Sequence, residues 1–122
     1  VNLLPRTPET TALVNADMFA MLGKQRAGKK FFINAGRGET VAQQDLIQAL
    51  QAGVLNGAVL DVFSPEPLPA DSPLWAMENV LITPHVAADS NPATIVPQIF
   101  RHVGELERGA TPLPTVDLAR GY

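Results

Sequence analysis

Residues 31–41, FFINAGRGETV, begin as an apolar run and end in a loop with two glycines. The run Phe31, Phe32 and Ile33 is typical of a strand buried on both faces, and such strands occur in parallel sheets covered by helices. Arg37 stands between Gly36 and Gly38. A structural turn needs the glycines but not the arginine, so we expect the glycines to let a ligand approach the loop closely.

The rest of the chain alternates short apolar runs with helix-like stretches. We predict strands at 1–4, 31–34, 58–63 and 80–83, and helices at 18–22, 43–52 and 92–108. Asn15 or Asp17 caps the first helix, and Asn91 or Ser90 caps the last. This alternation indicates an α/β fold with a parallel sheet. With so few helices, one face or edge of the sheet would be poorly covered, and the sequence does not begin with methionine. Together these two features predict that the chain is a piece of a longer protein.

Composition excludes several classes of site. The chain has 122 residues, a net charge of −3 and no cysteine. The charge gives no general attraction to nucleic acid or anionic membranes. The absence of cysteine excludes disulfides, thiolate metal sites and cysteine nucleophiles, and we expect no metal. No apolar run approaches the roughly 18 residues of a membrane span.

Three charged or titratable residues follow three successive predicted strands. Arg37, Glu66 and His85 stand on loops at the carboxyl ends of these strands, where ligands of parallel sheets bind. Taken singly, each could be an ordinary surface or structural residue. Together they form a chemical set: an arginine for a substrate carboxylate, a histidine for the proton of the adjacent carbonyl or hydroxyl, and a glutamate that favours the imidazolium.

Two further residues have open interpretations. Asp61 lies inside the apolar run GAVLDVF, so it needs a partner if it is buried. It is either a ligand for a bound group or a cap for a neighbouring turn. Trp75 is interpreted as core or interface packing, and His102, in the last helix, as a surface residue.

Five stretches carry a family resemblance: LLPRTPETTALVN (3–15), FFINAGRGETV (31–41), LQAGVLNGAVLDVFSPEPLP (50–69), LWAMENVLITPHVAA (74–88) and VDLARGY (116–122). They lie in order over nearly the whole chain. The chain thus resembles the D-2-hydroxyacid dehydrogenases, and among them the glyoxylate/hydroxypyruvate reductase A type. The resemblance implies NAD(P)H-dependent reduction of 2-oxo acids, with NADPH favoured over NADH, by a cytoplasmic homodimer that has no nucleic-acid or membrane partner.

The resemblance also implies roles for individual residues. Arg37 would bind the substrate carboxylate, His85 would be the acid, and Glu66 would support it. Asp61 would hold the nicotinamide carboxamide. The implied cofactor site consists of Leu4, Pro5, Thr10, Ala35, Gly36, Arg37, Asp61, His85 and Ala87.

The glycine-rich phosphate loop of this family does not occur in the sequence. The one G-x-G, at Gly36 to Gly38, lacks the third glycine of a dinucleotide fingerprint. We therefore predict that residues 1–91 form the C-terminal half of an NAD(P)-binding domain, the second half of a Rossmann-like doubly wound sheet. Residues 92–122 would form a returning helix and tail toward a substrate domain, and the isolated chain would be inactive. The alternatives are a non-catalytic half-fold that acts as an interaction module, or a related formate or phosphoglycerate dehydrogenase.

Overall fold

The computed structural model describes residues 1–24, 28–111 and 115–119. The chain divides into two compact units, Val1–Ala87 and Ala88–Tyr122. The sequence places the division a few residues later, at 91. The roles assigned to the two parts, cofactor domain and returning helix, stay predictions.

The first unit is a parallel sheet with helices, as the alternation of apolar runs predicts. Its helices are α1 (Ala16–Gly23) and α2 (Gln43–Gln51), and its strands are β1 (Phe31–Asn34), β2 (Gly57–Leu60) and β3 (Val80–Ile82). Short 3-10 helices span Gly38–Thr40 and Pro73–Ala76. The strands are parallel in the order β1-β2-β3. Their carboxyl ends therefore lie side by side at one edge.

The predicted strand at residues 1–4 is wrong. Only Asn2 pairs with β1, as an isolated parallel bridge in which the Asn2 N–H donates to the Ile33 carbonyl at 2.7 Å. Beyond it the Leu4 N–H donates to the Asn2 side chain at 3.2 Å instead of a neighbouring strand. Pro5 has no N–H to continue a ladder. The segment therefore lies along β1 but turns away after one residue.

The core of the first unit lies between the sheet and the two helices. Phe19 of α1 meets Phe32 of β1 edge to face, with ring centroids 5.5 Å apart. The apolar face of α2 contributes Leu46, Ile47 and Leu50, all buried. The Asn15 side chain caps α1 by accepting from the N–H groups of Asp17 and Met18. The helices thus cover one face of the sheet, and the expectation that β1 is buried on both faces is wrong, since Phe31 of β1 is 61% exposed and Leu81 of β3 is 59% exposed.

The second unit contains α3 (Pro92–Glu107), which Asn91 caps by accepting from the Ala93 N–H at 3.0 Å. No residue of this helix is buried. The predicted apolar face is present and exposed, and comprises Ile95, Ile99, Val103 and Leu106. The final three residues of the VDLARGY stretch lie outside the described residues. Within the described ranges, no helix combines the length and the apolar character needed to cross a membrane.

Candidate active site

The loops after β1, β2 and β3 bring the predicted catalytic residues to one cavity. Arg37, Glu66 and His85 line a cavity of about 300 Å³, together with Gly38, Glu39, Phe63, Ser64 and Pro65. The parallel topology explains this meeting, since each residue follows a strand end at the same edge of the sheet. The roles of these residues toward a ligand remain predictions.

The side chains of Glu66 and His85 are hydrogen-bonded to each other. His85 Nδ1 lies 3.0 Å from Glu66 Oε2, and the Phe63 N–H donates to Glu66 Oε1 at 2.8 Å. Burial opposes ionisation of Glu66. The hydrogen bonds from His85 and Phe63 outweigh it, aided by the positive charges of His85 and Arg37, and lower the pKa of Glu66. An ionised Glu66 accepts only, so Nδ1 carries a proton and Nε2 is the ring nitrogen left for a ligand.

Asp61 is bonded to the turn that carries His85. It is 4% exposed. One carboxylate oxygen accepts from the Thr83 hydroxyl and from the Val86 N–H at 2.9 Å, and the other accepts from the Ala87 N–H at 2.9 Å. Burial raises the pKa of Asp61, but these hydrogen bonds and the charge of His85 reverse the effect and lower it.

The backbone of His85 needs this support because its φ is 57°, in the left-handed region. Asp61 therefore caps a neighbouring turn, which is one of the two interpretations that the sequence left open. Its role toward a nicotinamide carboxamide stays a prediction.

The two glycines around Arg37 are needed for a different reason than we expected. A Cβ on Gly36 would lie 2.7 Å from the Leu4 carbonyl oxygen. A Cβ on Gly38 would lie 1.8 Å from the Phe63 carbonyl oxygen. The chain's own backbone, rather than a ligand, fills the space beside each glycine. Arg37 itself is exposed, and its Nη1 donates to the Gly36 carbonyl at 2.8 Å.

The predicted cofactor-lining residues of the N-terminal segment reach the same loop. Within this segment Thr10 is bonded back to Pro5, since its hydroxyl donates to the Pro5 carbonyl at 2.7 Å. The Ala35 N–H donates to the Asn2 carbonyl at 3.1 Å, which holds the segment beside the end of β1. Leu4 and Gly36 are thus in close contact. Ala87 lies in the turn bonded to Asp61.

The loop around Arg37 has no room for the phosphates of a dinucleotide beside its two glycines. Asp61 and Ala35 follow the ends of adjacent strands, and the Asp61 N–H donates to the Asn34 carbonyl at 2.9 Å. A pyrophosphate needs exposed N–H groups on a glycine loop. The backbones of Leu4 and Phe63 occupy that space at Gly36 and Gly38. The G-x-G at residues 36–38, here called the arginine loop, is therefore not a phosphate cradle.

A second cavity shares Phe63, Glu66 and His85 with the first. It measures about 390 Å³ and has mostly apolar walls that include Leu68 and Trp75. Trp75 is 55% exposed, and its Nε1 donates to the Pro69 carbonyl at 2.9 Å. Sequence reasoning did not identify this cavity, because the residues of its apolar walls, such as Leu68, look like ordinary core or loop residues. Within the described ranges, no cluster of three or more His, Cys, Asp or Glu side chains could hold a metal ion.

Comparison with known proteins gives consistent matches. The family described as "D-isomer specific 2-hydroxyacid dehydrogenase, NAD binding domain" matches residues 1–87. A D-isomer specific 2-hydroxyacid dehydrogenase from Xanthobacter autotrophicus Py2, solved with NADPH and MES, is 47% identical, with a TM-score of 0.89 over 98% of this chain and 48% of that chain. An NADPH-dependent glyoxylate/hydroxypyruvate reductase from Sinorhizobium meliloti, solved with NADP and sulfate, is 42% identical, with a TM-score of 0.90 over 98% of this chain and 38% of that chain.

A probable 2-hydroxyacid dehydrogenase from Rhizobium etli CFN 42, solved with NADP, HEPES and L(+)-tartaric acid, is 44% identical. Its TM-score is 0.83, over 98% of this chain and 38% of that chain. The chain therefore spans less than half the length of each of these three structures.

Proposed function

Because the chain belongs to the D-isomer specific 2-hydroxyacid dehydrogenase family, we propose that it carries the catalytic end of an NAD(P)H-dependent reductase of 2-oxo acids such as glyoxylate and hydroxypyruvate. One observation carries this proposal: Arg37, Glu66 and His85 line a single cavity. A carboxylate-binding cation and a proton donor within one cavity match the two functional groups of a 2-oxo acid.

Arg37, His85 and Glu66 have distinct roles in this proposal. Arg37 binds the substrate carboxylate through N–H groups other than the one bonded to Gly36. His85 donates a proton from Nε2 to the carbonyl oxygen at C2. Glu66, 3.0 Å from Nδ1, stabilises the imidazolium form from which that proton leaves. A reduced nicotinamide supplies the hydride that C2 receives.

The cofactor is NADPH or NADH, and the comparisons favour NADPH because the relatives from Xanthobacter and Sinorhizobium were solved with NADPH and NADP. Leu4, Pro5, Thr10, Ala35, Gly36, Asp61 and Ala87 line its ring end, next to Arg37 and His85. The sequence has no glycine-rich loop for the phosphates. The proposal includes a cytoplasmic homodimer, as the resemblance to the reductase type implies.

Replacing Arg37 tests the proposal in the protein expressed from its complete reading frame, here called the complete protein. We expect Arg37→Ala to raise KM for glyoxylate and to lower kcat/KM about 10- to 100-fold, as for loss of hydrogen bonds to a charged group. Arg37→Lys keeps the charge without the planar fork and should lie between. The measurement is NADPH oxidation followed by absorbance.

Arg101→Ala is the matched control, since Arg101 lies in α3 and its side-chain contacts are exposed: a loose ion pair with Glu105, 3.9 Å away, and a contact of its Nη2 with His102 Nε2 at 3.2 Å. Its kinetic constants should equal those of the unmodified protein. A complete protein that does not oxidise NADPH with any 2-oxo acid would refute the proposed function. An Arg37→Ala variant with unchanged KM would contradict only the role of Arg37 within the proposed function.

We expect the isolated 122-residue chain to oxidise NADPH far more slowly than the complete protein, because its sequence has no glycine-rich loop to bind the pyrophosphate. The comparison uses equal molar amounts of both proteins in the same assay. Equal rates would show that the chain binds the cofactor without a glycine-rich loop, which contradicts this expectation.

The second candidate function is a non-catalytic interaction module. It is favoured by an exposed apolar groove of about 590 Å³ that Leu3, Leu13, Met18 and Phe31 help to line. Large exposed apolar patches commonly mark interaction surfaces. Sedimentation of the isolated chain distinguishes the two, since a strict monomer over a range of concentrations counts against a module that assembles through this groove.

A further inference from the structure

Three buried polar side chains outside the proposed catalytic set contact one another below the arginine loop. Asn2 is 5% exposed, Asn34 is 2% exposed and Thr40 is fully buried. They come from the N-terminal segment, the end of β1 and the 3-10 helix after Arg37. Burying amide and hydroxyl groups is unfavourable unless each is hydrogen-bonded. The hydrogen bonds of these three side chains therefore show which parts of the chain they hold together.

The hydrogen bonds run from Asn2 to the backbone of Arg37. Asn2 Nδ2 donates to Asn34 Oδ1 at 2.9 Å and to Thr40 Oγ1 at 2.6 Å. The Thr40 hydroxyl donates in turn to the Arg37 carbonyl at 2.6 Å. Asn34 Oδ1 also accepts from the Gly36 N–H at 3.2 Å. The network thus holds the backbone on both sides of Arg37.

The same network holds the segment predicted to line the cofactor. Asn2 Oδ1 accepts from the Leu4 N–H at 3.2 Å. Every polar atom of the Asn2 side chain is therefore committed either to Leu4 or to the two residues that hold the arginine loop. A fully satisfied buried network of this kind specifies one geometry, since moving one member leaves its partners unpaired.

Arg37 needs such support because its side chain is exposed and long, and only its Nη1 bond to Gly36 is local. A guanidinium binds a carboxylate in bidentate fashion only if both N–H groups arrive together. Its backbone must therefore be held to within about 0.5 Å. None of the three network residues lines the cavity of Arg37, Glu66 and His85.

We propose that Asn2, Asn34 and Thr40 are positioning residues for Arg37 and couple its loop to the segment at Leu4. The proposal rests on the proposed function, because it assigns the three residues to the carboxylate-binding arginine. They act on substrate binding only through Arg37.

Thr40→Val and Thr40→Ser in the complete protein test this. Valine keeps the shape of threonine without its hydroxyl, whereas serine keeps the hydroxyl. We expect Thr40→Val to raise KM for the 2-oxo acid about tenfold at saturating NADPH, the effect of one lost buried hydrogen-bond partner. Thr40→Ser should restore KM to that of the unmodified protein. If Thr40→Val does not fold, Asn2→Ala removes the donor to Thr40 and is assayed in the same way.

A double-mutant cycle separates positioning from simple destabilisation. In an Arg37→Ala background, Thr40→Val should cause no further loss of kcat/KM, because the residue through which it acts is gone. The same fractional loss in both backgrounds would overturn the proposal, since a structural defect is independent of Arg37.

Hydrogen exchange of residues 34–40, measured by mass spectrometry on the complete protein, needs no activity. Thr40→Val should accelerate exchange in this stretch and Thr40→Ser should not. Unchanged exchange in Thr40→Val would overturn the proposal even if the protein proves to be a reductase. Accelerated exchange in a protein that reduces no 2-oxo acid would refute the proposed function alone, and the network would still hold the loop.

Discussion

Replacing His85 by asparagine in the complete protein is expected to lower kcat about 10²- to 10⁴-fold, the usual contribution of a positioned general acid. Asparagine is chosen because it adopts left-handed backbone more readily than most residues. The turn with φ of 57° is therefore kept while the proton donor is removed. KM should change less than kcat, since His85 acts on the charge that develops during reduction. Steady-state rates over a range of substrate concentrations give both constants.

His102→Asn is the matched control, because His102 is the only other histidine of the chain. It lies in α3, where its Nε2 is 3.2 Å from Nη2 of the adjacent Arg101. The control should leave kcat unchanged. A His85→Asn variant with the kcat of the unmodified protein would remove histidine from the mechanism.

Replacing Gly38 by alanine is expected to lower the free energy of unfolding by about 3 kcal/mol or more, at the upper end of the cost of overpacking. The added Cβ would lie 1.8 Å from the oxygen and 2.0 Å from the carbon of the Phe63 carbonyl. Both atoms belong to the backbone, so no side-chain rotation relieves the clash. Phe63 also holds Glu66 through its N–H, so the displacement should separate Glu66 from Arg37 and reduce activity as well. Urea denaturation of the isolated chain measures the loss of stability.

Gly53→Ala is the control for this substitution. Gly53 has a φ of +70° and no atom within 4 Å of an added Cβ. Its replacement should cost only the strain of left-handed alanine, about 1–2 kcal/mol. If Gly38→Ala were no more destabilising than Gly53→Ala, the close approach of Phe63 would not be the reason for glycine at this position.

Periodicity predicted the elements that local sequence controls. β1 has the predicted bounds, and α2 and β3 end within one residue of them. The parallel topology then followed, and with it the meeting of Arg37, Glu66 and His85 at one edge. Residues 1–4 were mispredicted as a strand because an apolar run does not reveal the side-chain bond by which Asn2 turns the chain.

The polar network was missed although part of its signal was present. Asn2 and Asn34 each interrupt an apolar run, and the reasoning that a buried polar group needs a partner was applied only to Asp61. That reasoning would have marked both asparagines. It would not have identified Thr40, because its bond to Asn2 joins residues 38 positions apart and depends on how the segments pack. The close approach of Leu4 to Gly36 and of Phe63 to Gly38 was missed for the same reason, since it also depends on how distant segments pack.

The left-handed backbone at His85 also limits which side chains could evolve or be engineered at this position, where we propose the proton donor. Most side chains pay roughly 1–2 kcal/mol to adopt this conformation, whereas histidine, aspartate and asparagine occur there several-fold more often than other residues. A lysine, glutamate or tyrosine introduced as an alternative acid would therefore tend to pull the turn away from Asp61, Val86 and Ala87. Redesign of residue 85 would have to begin with the turn and only then change the side chain.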